Sequence, residues 1–328
     1  MRTEAMLKGS AKTAPERNSG TTRRTLAGKV IFHLKRDRLL YLMLIPVLAY
    51  YVIFVYKPMG GLVIAFQDYS LFKGIRGSEW VWFENFERFF QSPYFFRNLK
   101  NTIMMNLTQT LIAFPAPIIL ALMLNEVKSY GYKRIIQTLT YLPYFVSVVV
   151  VAGIVTNFLA PTNGLINIIL DKLGFEKVYF LTLPEMFRPV YILSFDIWQN
   201  IGIGAIIYIA ALAGINPELY EAASIDGAGR WRKIWSISLP GILPTVLVLL
   251  LLNISNFIEV GHEAIILLYQ PVTYETADVF STYAYRTGLS QGNYDLGAAV
   301  GLFTNTVGFV LVVIANWISR RFAGNGLW

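Results

Sequence analysis

"ELYEAASIDGAGRWRKIWSISLP" (residues 218–240) separates two long apolar runs in a chain of 328 residues. It is too polar to enter hydrocarbon and too patterned for an idle spacer. Asn216 is placed to act as an N-cap, with Pro217 at the first helical position. Glu218 and Glu221 then fall early in the helix, where its dipole favours acids. Gly227 stands where a left-handed cap would end it. These residues predict a helix of about two to three turns on which Leu219, Ala222 and Ala223 share a face. A second short helix with Trp231 and Trp235 should lead into "LPGILP" (239–244) and the next apolar run.

The surroundings of this stretch are those of a membrane protein. The chain is 55% hydrophobic and only 15% charged, against about 25% charge in soluble domains. The charges are missing in blocks. Six blocks have the roughly 20-residue length that crosses a bilayer: residues 39–56, 102–124, 135–159, 190–213, 242–260 and 298–318. Pro46, Pro115, Pro117 and Pro143 predict kinks, which bundled membrane helices tolerate. The domain expectation is a basic, largely disordered arm over 1–37 and a six-span domain over 38–328, with the polar loop at 214–240. The first apolar block begins at Leu39 and no small-x-small cleavage site follows it, so it reads as a retained helix.

Lys and Arg set the expected orientation. With the N-terminus inside, the inner segments carry 18 basic residues and the outer loops 9. Both termini and residues 214–240 are then cytoplasmic. The long outer loops, 57–101 and 261–297, hold aromatic runs such as "WVWFENFERFF" (80–90), suited either to interface anchoring or to contact with a partner.

Several activities lack their residues. The net charge of +8 is concentrated in the arm, so no nucleic-acid surface is expected, and the absence of cysteine excludes thiol chemistry. His262-Glu263 begins a zinc-protease pattern, but Ile266 stands where the second histidine belongs. No G-x-S-x-G elbow and no phosphate-binding loop is present. No catalytic or metal-binding residue is therefore assigned. Within the spans the costly side chains are Gln109, Asp196, Asn200, Asn253, Asn256 and Glu259. Such groups either line a cavity or bond a neighbouring helix. Asn200, Asn253, Asn256 and Glu259 are the candidate substrate-pathway residues.

The order Glu221-Ala222-Ala223, Asp226-Gly227, then Ile237, Leu239 and Pro240 resembles the EAA signature of permease subunits in bacterial ATP-binding-cassette (ABC) importers. The resemblance extends from about residue 38 to the end. "YLPYFVSVVVVAGI" (141–154), "PTNGLINIIL" (161–170) and "AAVGLFTNTVGFVLVVIANWISRR" (298–321) are similar to the polysaccharide and lipo-oligosaccharide branch of the maltose-type importers, which includes alginate-oligosaccharide permeases. His262 departs from the pattern, where an aromatic is expected.

The resemblance implies an all-α membrane protein, a six-helix type I importer permease of the inner membrane. It implies pairing with a second, homologous permease and with two ATPase subunits that carry the ATP and magnesium; this chain holds no cofactor. It also implies a periplasmic sugar-binding protein as donor and alternating access as mechanism. Glu221, Ala222, Ala223, Asp226, Gly227, Ile237, Leu239 and Pro240 would then couple to the ATPase. For a polyanionic cargo, positive charge is expected from the partner permease or from residues such as Arg188. A proton-coupled sugar carrier, with Asp196 or Glu259 as proton site, is the alternative, although the paired repeats usual in such carriers are not evident.

Overall fold

An apolar run in hydrocarbon must satisfy its backbone internally, and coiling into a helix does so within one segment. In the computed structural model, which describes residues 36–255, 257–258 and 261–323, the apolar runs are helical. Among the described residues, four helices are long and apolar enough to cross a bilayer: Arg38–Phe66, Phe95–Glu126, Arg230–Ile254 and Tyr294–Arg321. Two bent pairs, Tyr130–Phe145 with Val148–Phe158 and Pro184–Gln199 with Ile201–Ala213, bring the total to six if each pair makes one crossing. Most of the basic arm, residues 1–35, lies outside the described residues, as do Asn256 and Glu259.

Backbone contacts divide the chain into a unit ending at Gly60 and a larger one from Gly61 onward. In the first, the described residues are helical from Arg38 and contain Pro46, and none is buried between Arg38 and Tyr50. The larger unit is built on three apolar cores. Ile118 and Ala121 meet Ala205, Tyr208 and Ile242 in one. Met105, Val151, Phe187, Tyr191 and Ile265 form the second. Phe89, Phe280, Tyr283, Leu296 and Val300 form the third. The short helix Glu84–Phe90 explains half of the aromatic run: Phe89 is fully buried, edge-on to Phe95 at 5.1 Å and to Phe280 at 5.5 Å. Trp80, Trp82 and Phe83 remain exposed. Two short strands, β1 (Gln67–Asp68) and β2 (Glu79–Trp80), pair antiparallel beside it.

The third and fourth spans are broken where the sequence predicted continuous helices, the third with a kink at Pro143. The third turns by 102° between Phe145 and Val148, and the fourth by 50° at Asn200. At the sharper break Pro143 lies in the tight turn Leu142–Phe145, and the Ser147 hydroxyl accepts from the Val150 amide to start the next helix. The carbonyl of Val146, freed by the turn, accepts from buried Gln199 at 2.8 Å. Among the π-helical turns of the described residues, two lie in the second and fourth spans, Gln109–Ala113 and Ile192–Gln199. Pro115 and Pro117 lack the amides that Leu111 and Ala113 would bond four residues on, and the Phe114 amide instead reaches back to Gln109 at 2.9 Å.

The broken third span is seated against the fourth at Gly202. A Cβ added there would overlap the Thr140 carbonyl oxygen, which is backbone and cannot turn aside. Gly202→Val is expected to lower the thermal stability of the detergent-purified chain by at least the 1–3 kcal/mol usual for overpacking. Gly301→Ala, where nothing lies within 4 Å, should be neutral or slightly stabilising. Equal melting temperatures for the two variants would refute this close approach.

Candidate functional site

The two π-helical turns pack on each other and bring the mid-span polar residues together. Gln109 donates through Nε2 to both oxygens of Asp196, at 3.2 and 3.0 Å. One helical turn from Asp196, Asn200 donates to the Phe195 carbonyl, and Thr110 donates to Asn253 Oδ1 at 3.1 Å. Asn106, Gln109, Asp196, Asn200 and Asn253 line one cavity of about 270 Å³, with Ala113 and Phe114 as its apolar wall. Of the candidate pathway residues, Asn200 and Asn253 therefore share a cavity, while Asn256 and Glu259 lie outside the described residues. Asn106 was missed by sequence reasoning. It stands three residues before Gln109, and that helical spacing was the available signal. The lining is rich in carboxamides and has one carboxylate and no cation, a composition that can exchange hydrogen bonds with hydroxyl groups.

At one end of the bundle, the polar loop folds as its residues predict. Helix Pro217–Ile225 starts with Asn216 Oδ1 accepting from the Glu218 amide at 3.1 Å. It ends with Gly227 at φ +74° and the Ala228 amide donating to the Ala223 carbonyl at 2.8 Å. No residue of this helix is buried, and Leu219, Glu221, Ala222 and Asp226 are all exposed. Two bonds tie it to the following span: the Tyr220 hydroxyl to fully buried Ser238 at 2.9 Å, and Lys233 Nζ to Ser224 Oγ at 2.7 Å. The expected second short helix is the beginning of that span, which runs unbroken from Arg230 through Ile237, Leu239 and Pro240 to Ile254.

At the opposite end, fully buried Asp278 takes Arg286 through paired bonds at 2.9 and 2.7 Å and Arg97 at 2.8 Å. Thr282 adds a fourth bond at 2.9 Å. Burial works to lower the Arg286 pKa, but the bonds to Asp278 outweigh it and hold the group above its ordinary value. Asn101 joins this cluster to the second span by donating to the carbonyls of Glu275 and Asp278. None of these residues stood out in the sequence, because Arg97 and Asp278 are 181 positions apart. His262, the departure noted above, stacks on Tyr285 with 6.1 Å between ring centres.

Residues 94–324 match the family of binding-protein-dependent transport system inner membrane components. The chain belongs to this family. The permease is 47% identical over 295 residues to protein LplB of Bacillus subtilis, covering 90% of this chain and 92% of that one. It is 44% identical over 300 residues to the B. subtilis polygalacturonan/rhamnogalacturonan transport system permease protein YteP, covering 92% and 93%. Its fold superposes with a TM-score of 0.84, at 49% identity, on a chain of a bacterial ABC transporter involved in the import of the acidic polysaccharide alginate, covering 90% of this chain and 99% of that one. The all-α importer-permease architecture is thus established, and Pro217–Ile225 falls within the matched region.

The Gln109–Asp196 pair generates a stability test. Asp196→Asn keeps a side chain that can face the Gln109 amide, whereas Gln109→Leu leaves the carboxylate without that donor. The leucine variant should be less stable by about 1–3 kcal/mol, and the asparagine variant should melt close to the wild type. Unfolding in a fixed detergent measures both; the reverse order would remove Gln109 as the group that holds Asp196.

Proposed function

We propose that this permease imports acidic oligosaccharides, received from a periplasmic binding protein and driven by ATPase subunits that dock on helix Pro217–Ile225. The observation that carries the reading is that helix: capped at both ends, wholly at the surface, tied to a span, and bearing the EAA residues of the family to which the chain belongs. A mere connector has no reason to hold a surface helix so firmly. Nucleotide closure of the ATPases would move it as a rigid body, and the Tyr220–Ser238 bond would pass that motion to the fifth span. The bias of Lys and Arg supports a cytoplasmic position for both termini and this helix. The chain pairs, on this reading, with a second, homologous permease.

The acidic cargo is supported by the relatives. One structural neighbour is a chain of an ABC transporter involved in the import of alginate, and another belongs to an alginate ABC transporter in complex with an alginate pentasaccharide-bound periplasmic protein. YteP belongs to a polygalacturonan/rhamnogalacturonan transport system. The cavity around Asp196 would then form part of the pathway, with Asn200, Asn253, Asn256 and Glu259 on the same route. Membership of a binding-protein-dependent family disfavours the proton-coupled carrier.

Reporter fusions after Lys133 and Lys233 should report the cytoplasm, and a fusion after Thr273 the opposite side. A periplasmic signal at Lys233 would remove both the topology and ATPase docking.

In proteoliposomes of the assembled importer, Glu221→Ala and Gly227→Val should lower ATP hydrolysis stimulated by loaded binding protein. Each variant should still insert in the membrane. At Gly227 a side chain meets the left-handed penalty of about 1 kcal/mol, more when β-branched. In the same vesicles, Asn253→Leu should lower uptake without loss of assembly. Normal stimulation in both loop variants would make the stretch a connector, and normal uptake by Asn253→Leu would make the cavity structural.

A further inference from the structure

The cluster around Asp278 opens into a cleft of about 420 Å³, lined by Tyr94, Arg97, Tyr274, Glu275, Tyr283 and Arg286 among others. Its ionic balance is unusual for a simple clamp. Two guanidinium groups share one buried carboxylate, and the other acid, Glu275, is exposed. Arg286 commits two nitrogens to Asp278, which already fixes the loop. Arg97 gives one nitrogen to Asp278, while its Nε is buried and has no hydrogen-bond partner. A guanidinium has five N–H donors, and the Arg97 side chain is 30% exposed, so nitrogens other than the buried Nε can meet an acceptor in the cleft. Aromatic rings hold both cations in place: Arg97 lies 4.8 Å over Tyr94, and Arg286 lies 4.7 Å over Tyr274. Tyr94 is 46% exposed and offers apolar ring surface beside the charge.

We infer that this cleft is a subsite for one uronate ring of an acidic oligosaccharide, with Arg97 receiving the carboxylate and Tyr94 packing on the ring. The assignment rests on the acidic cargo and the orientation proposed above. It divides recognition between two places. The cavity at Gln109 and Asp196 has a carboxylate and no cation, so it suits hydroxyls and repels a uronate carboxylate. The cleft at the far end has the cations, an apolar ring and a size within the range of small-ligand sites. Glu275, at the solvent-facing rim, can accept a hydroxyl. Charge is read at entry, and hydroxyl groups deeper along the path.

Equilibrium dialysis against the assembled importer in nanodiscs, without binding protein, tests this. The probes are labelled trimannuronate, trigalacturonate and their carboxyl-reduced counterparts. The wild type should retain at least one acidic trisaccharide and neither reduced form. Arg97→Gln should weaken retention about tenfold, the loss of one charge-assisted contact. Tyr94→Ala, which leaves the Asp278 ion pairs in place, should also weaken it and carries the test if Arg97→Gln fails to assemble. Asn253→Leu, in the other cavity, should bind like the wild type. Equal retention of acidic and reduced sugars, no retention of either acidic sugar, or unaltered binding by the Tyr94 and Arg97 variants would overturn the subsite. Uptake by wild-type vesicles with binding protein judges the cargo reading separately: acidic uptake without cleft binding removes only the subsite, and cleft binding without acidic uptake removes only the cargo.

Discussion

Where this chain leaves helical structure in buried surroundings, its backbone carbonyls lose their partners, and neither hydrocarbon nor packed apolar side chains supply any. The structure answers with buried carboxamides. Asn85 donates to the carbonyls of Ala65 and Gln67 and holds the loop after the first span. Asn101 donates to those of Glu275 and Asp278, Asn167 to those of Ala160 and Val178, and Gln199 to that of Val146. Each of these side chains is at most 6% exposed. An orphaned buried carbonyl costs about 1–3 kcal/mol, so the broken third span and the folded loops depend on these four residues.

Proline supplies the complementary disturbance. Pro115 and Pro117 remove amide donors from the second span, and Pro189 does the same at the start of the fourth. The helices respond by widening to π-helical turns, and the polar pair Gln109–Asp196 lies where the two widened turns meet. A widened turn places side chains out of register with the apolar stripe, and such turns recur at functional sites. Here it turns a pair of carboxamide and carboxylate groups toward a shared cavity.

The two ends of the bundle are built on opposite plans. Helix Pro217–Ile225 has no fully buried residue and is tied to the following span through Tyr220 and Ser224, leaving Leu219, Glu221 and Ala222 exposed. The other end is stitched tightly, with Asp278 drawing the second span and the loop before the last span onto one carboxylate. Its aromatic neighbours continue that packing through Phe89, Phe95, Phe280 and Phe303. One end therefore leaves a helix face open, while the other holds its loop closely against the spans.

What the sequence determined was local or periodic. Apolar block length specified helices and their approximate number, and the residues from Asn216 to Gly227 specified a capped surface helix, because cap, proline and glycine preferences act within one turn. The EAA residues, read in that setting, were sufficient to indicate the family. Asn200 and Asn253 were legible as costly polar residues, but their common cavity was not, since it depends on how three separated spans register. The 102° break was likewise hidden: Pro143 marks a disturbance, yet the carbonyl freed by the sharp turn is satisfied by donation from Gln199, 53 residues away. The cleft at Arg97 was invisible for the same reason. Charges 181 residues apart become one site only when packing brings them within hydrogen-bond reach of Asp278.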